Sequence, residues 1–270
     1  MKRFPLGSLS VLVICFGLIL QAAAAQTPTT TGSTPSVDPQ AVAVLQHSVA
    51  AMGATVPSDS TATGTITTVA GSLTESGTIT ILTRGTNQTS EQIETPHGST
   101  VVYSQGQASS VAAATPTNFT MERSVTSQSP YFPLALFVGA LNNADTAYKY
   151  IGVETLNGAS VQHIQIWNSF ASTPPLQSIA QYSMRDIWID SQSGLPVKVF
   201  YTRRDAGGSA PSFAMEVFFS NYKDVSGVLY PYSIQASFNG TPWATIAIQC
   251  VTLNAGLTDS NFPVQTGAGQ

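Results

Sequence analysis

From residue 63 onward, apolar and polar residues alternate with a period of two, and this constrains the fold more than any other feature. The clearest stretch puts Tyr230, Tyr232, Ile234, Ala236 and Phe238 in alternation with Pro231, Ser233, Gln235 and Ser237. Successive side chains of a strand point to opposite faces, so this segment has one apolar and one polar side, as antiparallel strands have. The run after it places Ala244, Ile246, Ile248 and Cys250 on one face. Asn157-Gly158 and Asn239-Gly240 each separate two such runs, and this dipeptide suits the tight turn that matches strand twist. Earlier runs at Thr63–Val69, Gly77–Thr83, Gln88–Glu94 and Ser99–Ser104 are joined by Gly-containing turns. Short connections between successive strands predict an antiparallel, meandering sheet. No repeat of roughly 20–50 residues is present, which argues against a propeller or solenoid.

Two segments break the alternation. Asp38-Pro39 reads as an N-cap followed by proline at the first helical position. Val42, Leu45, Val49 and Met52 follow at helical spacing, and Gly53 stands where a C-terminal glycine belongs. The second segment, Phe132–Leu141, is continuously apolar and fits a helix buried on more than one side. It is half the ~20 residues needed to span a bilayer. Asn118–Pro130 follows neither period.

The amino terminus has the order of a secretory signal: Lys2 and Arg3, an apolar run from Val11 to Leu20, then small Ala22–Ala25 before Gln26. Its apolar run is too short for a permanent anchor. Cys15 lies inside that run behind bulky Ile14, which excludes the small-residue context of a lipidated cysteine. Residues 1–25 are therefore read as a signal peptide and 26–37 as a disordered leader rich in Thr, Pro and Ser. A single β domain over 38–264 and a flexible tail over 265–270 complete the chain. Loss of Lys2 and Arg3 takes the net charge from −4 to about −6, which disfavours nucleic acid and anionic membranes as partners. Only 9% of residues are charged. Polarity rests instead on Thr, Ser, Asn and Gln, suited to half-exposed strands.

The residues offer little chemistry. Cys250 is the one cysteine of the mature chain, so no internal disulfide forms, and its place on an apolar face predicts an inert core thiol. His47, His97 and His163 lie in unrelated segments, without metal-ligand spacing. His163 reads as a half-exposed strand residue, His47 as a solvent-facing helical one and His97 as part of a turn. Asp186 and Asp190 share a strand face at ~13 Å, farther apart than paired catalytic carboxylates, and Asp190 opens a turn. Glu216, among Phe213, Met215, Phe218 and Phe219, reads as the outward residue of its strand. Nucleophile elbows, phosphate loops and dinucleotide fingerprints are absent, so no catalytic residue and no cofactor is expected.

What remains is apolar surface. Tyr182, Met184 and Trp188 contribute to it, as do Phe213, Met215, Val217 and Phe219. Tyr230, Tyr232, Ile234 and Phe238 add a third strand, and Phe132, Leu136 and Phe137 the apolar helix. These residues suit an ordinary core between sheet and helix. They suit equally a lining that a helix covers incompletely, leaving room for an apolar ligand.

Two stretches carry a resemblance. Asp186-Ile-Trp-Ile-Asp190, the Ser-Gly-Leu-Pro196 turn and the following Val-Lys-Val strand resemble the strand–turn–strand module of periplasmic lipoprotein-carrier (LolA/LolB-like) proteins. Asn221–Pro231, with the strand, Asn239-Gly240 and second strand after it, is similar to the end of outer-membrane lipoprotein-sorting proteins. The resemblance implies a mainly β fold: a strongly curved antiparallel sheet, an incomplete barrel, with a few short helices covering its concave face. It also implies a non-catalytic periplasmic binding protein for acyl chains or lipoproteins, monomeric and without cofactors. Carriers pin a helical lid with an arginine after the second or third strand, and Arg84 is the candidate here. The rival expectation is an envelope-associated scaffold with a solid core. Amino-terminal sequencing of the exported protein should begin near Gln26; retention of Val11–Leu20 would refute the signal reading.

Overall fold

The alternating segments form one antiparallel sheet whose two halves are meanders joined at the centre. The computed structural model describes residues 35–263 apart from 107, 113–116, 126–128 and 205–211. The expected signal peptide, positions 26–34 of the leader and the tail 265–270 lie outside the described residues. Helix α1 (Pro39–Ala51) is followed by β1 (Asp59–Ala70), β2 (Leu73–Arg84), β3 (Gln88–Thr95), β4 (Gly98–Gln105), β5 (Ala108–Ala112) and β6 (Thr117–Asn118). Helices α2 (Met121–Ser124) and α3 (Pro133–Asn142) come next, so the ambiguous stretch holds a short strand and one helical turn. The second meander comprises β7 (Thr146–Leu156), β8 (Ala159–Asn168), a 3-10 segment (Pro174–Ser183), β9 (Arg185–Asp190) and β10 (Pro196–Arg203). It ends with β11 (Phe213–Val225), β12 (Val228–Phe238) and β13 (Thr241–Leu253).

The strand order is β6-β5-β4-β3-β2-β1-β13-β12-β11-β10-β9-β8-β7. The sheet curves but does not close, leaving β6 and β7 as its edges. The chain passes from one edge to the other through α2 and α3, and packs α3 on the inner face. Asn157-Gly158 and Asn239-Gly240 turn with φ of 52° and 84°, and of 50° and 76°, the positive values that tight hairpins require. Asp38 caps α1, its Oδ1 accepting from the Gln40 N–H at 2.9 Å. Its Oδ2 accepts from the Tyr150 N–H at 3.0 Å and so ties the helix start to β7. Just before it, the Ser36 carbonyl accepts from the Tyr148 N–H at 2.8 Å, which joins the end of the expected leader to the sheet edge.

The inner face is aliphatic along most strands. Ile66, Ile79, Ile81, Ile164, Ile187, Val199, Val217 and Ile246 form a single buried cluster with Leu45 and Met52 of α1 and Leu134 and Phe137 of α3. Pro133 through Phe137 are all buried, which explains why this helix is apolar on every side.

Cys250 departs from its expected place. Thr63 pairs with Cys250 but Gly64 pairs with Ile248, so Gln249 is an extra residue on β13. Such a bulge reverses the inward–outward alternation beyond it. Ile248 points inward, Cys250 outward, and Val251 and Leu253 pack against the core again. Gly64 makes the bulge possible: a Cβ there would lie 2.2 Å from the Ala247 carbonyl oxygen. The thiol is exposed rather than a core group. It should therefore react stoichiometrically with a thiol reagent in native protein. Reaction that waits for denaturant would show the alternation to be unbroken.

Candidate ligand-binding site

The apolar wall and the helix lying on it are the first part of the site. Phe132, at the start of α3, stacks on Tyr230 with ring centroids 4.9 Å apart and planes inclined by 21°. Tyr230 is wholly buried, and its hydroxyl has no hydrogen-bond partner among the described residues. Burial holds that phenol far above its ordinary pKa. The N-terminal half of α3 is enclosed, whereas Val138 to Leu141 are only half-buried. The Tyr148 hydroxyl donates to the Ala140 carbonyl at 2.6 Å and fastens that looser half.

Of the residues predicted from sequence, Phe132, Leu136, Phe137, Met215, Val217, Phe219, Tyr230 and Ile234 come together in the inner cluster, with Tyr232 at its margin. The other five are elsewhere. β9 turns Arg185, Ile187 and Ile189 inward, so Trp188 faces the opposite side of the sheet. There its Nε1 donates to Glu154 at 2.7 Å and its ring stacks on His163, centroids 4.2 Å apart. Tyr182 belongs to the 3-10 segment, under the Arg204 guanidinium at 4.8 Å, and Met184 ends that segment. Phe213 stacks on Phe238 at 4.8 Å, and Phe238 is exposed. Trp188 faces away because Ile187 and Ile189 on either side of it take the inward register, Tyr182 and Met184 precede the strand, and Phe213 and Phe238 lie at the first residue of β11 and the last of β12, beyond the enclosed part of the wall.

His163 is also less exposed than expected, held between Glu154 at 2.7 Å and Asp186 at 2.9 Å. Glu216 does face outward, and pairs with Lys198 at 2.5 Å. Asp190 is the turn residue, accepting from the Ser193 N–H at 2.7 Å and from the Gln192 N–H at 3.1 Å, bonds that lower its pKa. No group of three His, Cys, Asp or Glu suited to a metal occurs among the described residues.

A second part of the site escaped the sequence reading. Glu91, Arg185 and Arg203 occupy the inward register of their strands, two residues from Ile93, Ile187 and Tyr201. Burial raises the pKa of Glu91, opposed by a hydrogen bond from Ser129 and by the charges of Arg203 and Arg123. Tyr131 and Tyr201 are pushed up by the same burial, and Arg185 is pushed down. One end of the concave face is thus aliphatic and the other carries buried charge. The signal was available: in each of these three alternating runs a charged residue stands one step beyond Ile93, Ile187 or Tyr201. Arg84, the candidate for the carriers' lid-pinning arginine, pairs with Asp259 at 2.5 Å and lies over Phe262, holding the C-terminal turn.

Between these parts runs a cleft of about 390 Å³, bounded by Leu136, Gly139 and Ala140 of α3, Thr86 and Asn87 after β2, Ile166 of β8, Phe170 and Arg185. Of the residues predicted as lining, only Leu136 borders it.

The open half-barrel with its concave face covered by an apolar helix can be compared with known proteins. No known family matches the chain by sequence, and neither does any curated protein. Solved structures do share the fold. An outer-membrane lipoprotein-sorting protein domain from Vibrio parahaemolyticus superposes with a TM-score of 0.57 at 11% identity, covering 83% of this chain and 96% of its own. A LolA superfamily protein from Nitrosomonas europaea gives 0.53 at 13% identity, covering 82% and 96%. A DUF1329 family protein from Desulfovibrio piger gives 0.52 at 14%, with the same coverage of both chains. The chain therefore has the LolA-type fold that its two sequence stretches resemble.

Because the Glu91 carboxyl has a raised pKa in the folded state, the native protein holds its proton to higher pH than the unfolded chain does. Stability is therefore lost as pH rises from the ordinary glutamate value through the folded one. Unfolding by urea between about pH 4 and pH 8 should show Glu91→Gln gaining on wild type as pH rises. A difference independent of pH would mean that Glu91 titrates normally.

Proposed function

We propose that this is an exported, non-catalytic binding protein of the bacterial periplasm, and that its ligand is an acyl chain or the acyl chains of a lipoprotein. The observation that carries this reading is the cleft along the half-buried end of α3, an apolar helix that lies over the apolar wall. Its volume falls in the lower part of the range for small-molecule sites, roughly 300–1,000 Å³. A longer chain gains room if the loose half of α3 lifts while its buried half stays seated. Burying a dozen methylenes contributes about 10 kcal/mol gross, from which the cost of association is subtracted. The buried Tyr230 hydroxyl and the lipoprotein-sorting description of a structure with the same fold support the same reading. The described residues contain no helix long and apolar enough to cross a membrane.

A second reading, an envelope-associated scaffold with a solid core, is favoured by the packing of Phe132, Leu134 and Phe137 directly on the concave wall. Binding separates the two. Mature protein stripped of lipid should bind a neutral, environment-sensitive acyl probe at micromolar concentration. A Cβ on Gly139 would lie 3.2 Å from the Thr86 Cβ, just short of the ~3.5–4.5 Å of a disulfide, so a shift of a few tenths of an ångström in the looser half of α3 would admit the bond. In a Cys250→Ser background, the pair Gly139→Cys and Thr86→Cys should therefore lock α3, abolish probe binding when oxidised and restore it on reduction. Wild-type protein that binds no probe at hundreds of micromolar would favour the scaffold.

A further inference from the structure

We infer that the cleft beside α3 takes the acidic head of a single-chain amphiphile, with Arg185 as the group that receives the anion. This rests on the lipid-binding reading and narrows its ligand class.

The composition of the wall is the first reason. Arg185 is the one charged residue bordering the cleft among the described residues, and no carboxylate shares the wall with it. The chain as a whole carries −4 and repels anions, so the positive charge here is a local exception. Arg185 is 6% exposed, and burial of a guanidinium works against its charged form. The group stays protonated nonetheless, and in such surroundings an anion is attracted more strongly than at an open surface. Arg185 already has an interaction within the protein, so its side chain is positioned before a ligand arrives. Its guanidinium is a planar fork of N–H donors, the geometry that suits a carboxylate.

The opposite character of the remaining wall is the second reason. Leu136, Ile166 and Phe170 border the same cleft, so a molecule with one charged end and one apolar end matches it. Phe170 is held in an uncommon conformation to do so. It is 1% exposed with φ of 51°, a value costly for a bulky side chain. The Asn168 side chain accepts from its N–H at 2.9 Å, and the Thr173 N–H donates to its carbonyl at 3.0 Å. Strain maintained by local bonds is found preferentially where a binding site needs it.

The test uses the mature protein stripped of lipid and loaded with the neutral acyl probe, displaced in turn by dodecanoate, dodecanol and inorganic phosphate. Dodecanoate should displace at about one-tenth the concentration that dodecanol needs, a difference of about 1.4 kcal/mol. Phosphate alone should not displace. Arg185→Gln should bring the acid to the level of the alcohol while dodecanol binding persists, and Arg185→Lys should keep part of the preference. Equal binding of acid and alcohol by wild type overturns the headgroup assignment but leaves the apolar-ligand reading intact. Failure of both to bind overturns both. Displacement by phosphate alone would make the cleft a small-anion site and overturn the amphiphile. Should circular dichroism show Arg185→Gln unfolded, Arg185→Met takes its place, and an undiminished preference for the acid in a folded variant that lacks the guanidinium overturns the assignment.

Discussion

The pairing of β1 with β13 holds the architecture together. It joins residues at opposite ends of the domain, Ser60 with Leu253 through Thr68 with Ala244, and fuses two local meanders into one sheet. Each meander is built from hairpins whose partners are near in sequence. The central pairing must close a loop of nearly the whole domain, which is entropically costly and repaid only by the core it completes. The bulge at Gln249 lies in this seam, where it bends and twists the strand it interrupts. Because the seam is central, the free edges β6 and β7 fall at the far ends, and the connection between them crosses the inner face.

That crossing explains why the most apolar segment of the chain covers the most apolar wall. A sheet with one apolar face must bury it against something, and in an unclosed half-barrel the available cover is the chain's own connection. α3 meets this need unevenly. Its first half is enclosed and anchored by Phe132 on Tyr230, and its second half borders the cleft and is fastened through Tyr148. The division between a fixed end and a looser one gives the acyl-binding reading a physical route, and the same packing gives the scaffold reading its strength.

Charge is the second organising constraint. The chain has few charged side chains, yet Glu91, Arg123, Arg185 and Arg203 gather on the inner side, and burial shifts Glu91 and Arg185 towards their neutral forms. Buried ionic groups of this kind are costly unless they are paired or have work to do. Glu91 lies within reach of two arginines, while Arg185 borders the cleft, so the two ends of this cluster have different surroundings.

Local features of the amino-acid sequence determined the elements themselves. Asp38-Pro39 specified the start of α1, Asn157-Gly158 and Asn239-Gly240 the two hairpins, and the unbroken apolar run the helix α3, because each depends on backbone preferences of a few adjacent residues. The inward identity of Met215, Val217, Phe219 and Ile234 was equally legible, since those strands alternate without interruption. Tertiary structure alone decided what followed from interruptions and from distance. One extra residue opposite Gly64 turned Cys250 outward. The 3-10 segment that ends at Ser183 separated Tyr182 from the strand that follows, and the inward register of Ile187 and Ile189 put Trp188 on the far face. The cleft could not be read from the chain at all. Thr86, Leu136, Phe170 and Arg185 lie in separate elements, and only the curvature of the closed seam brings them round one space.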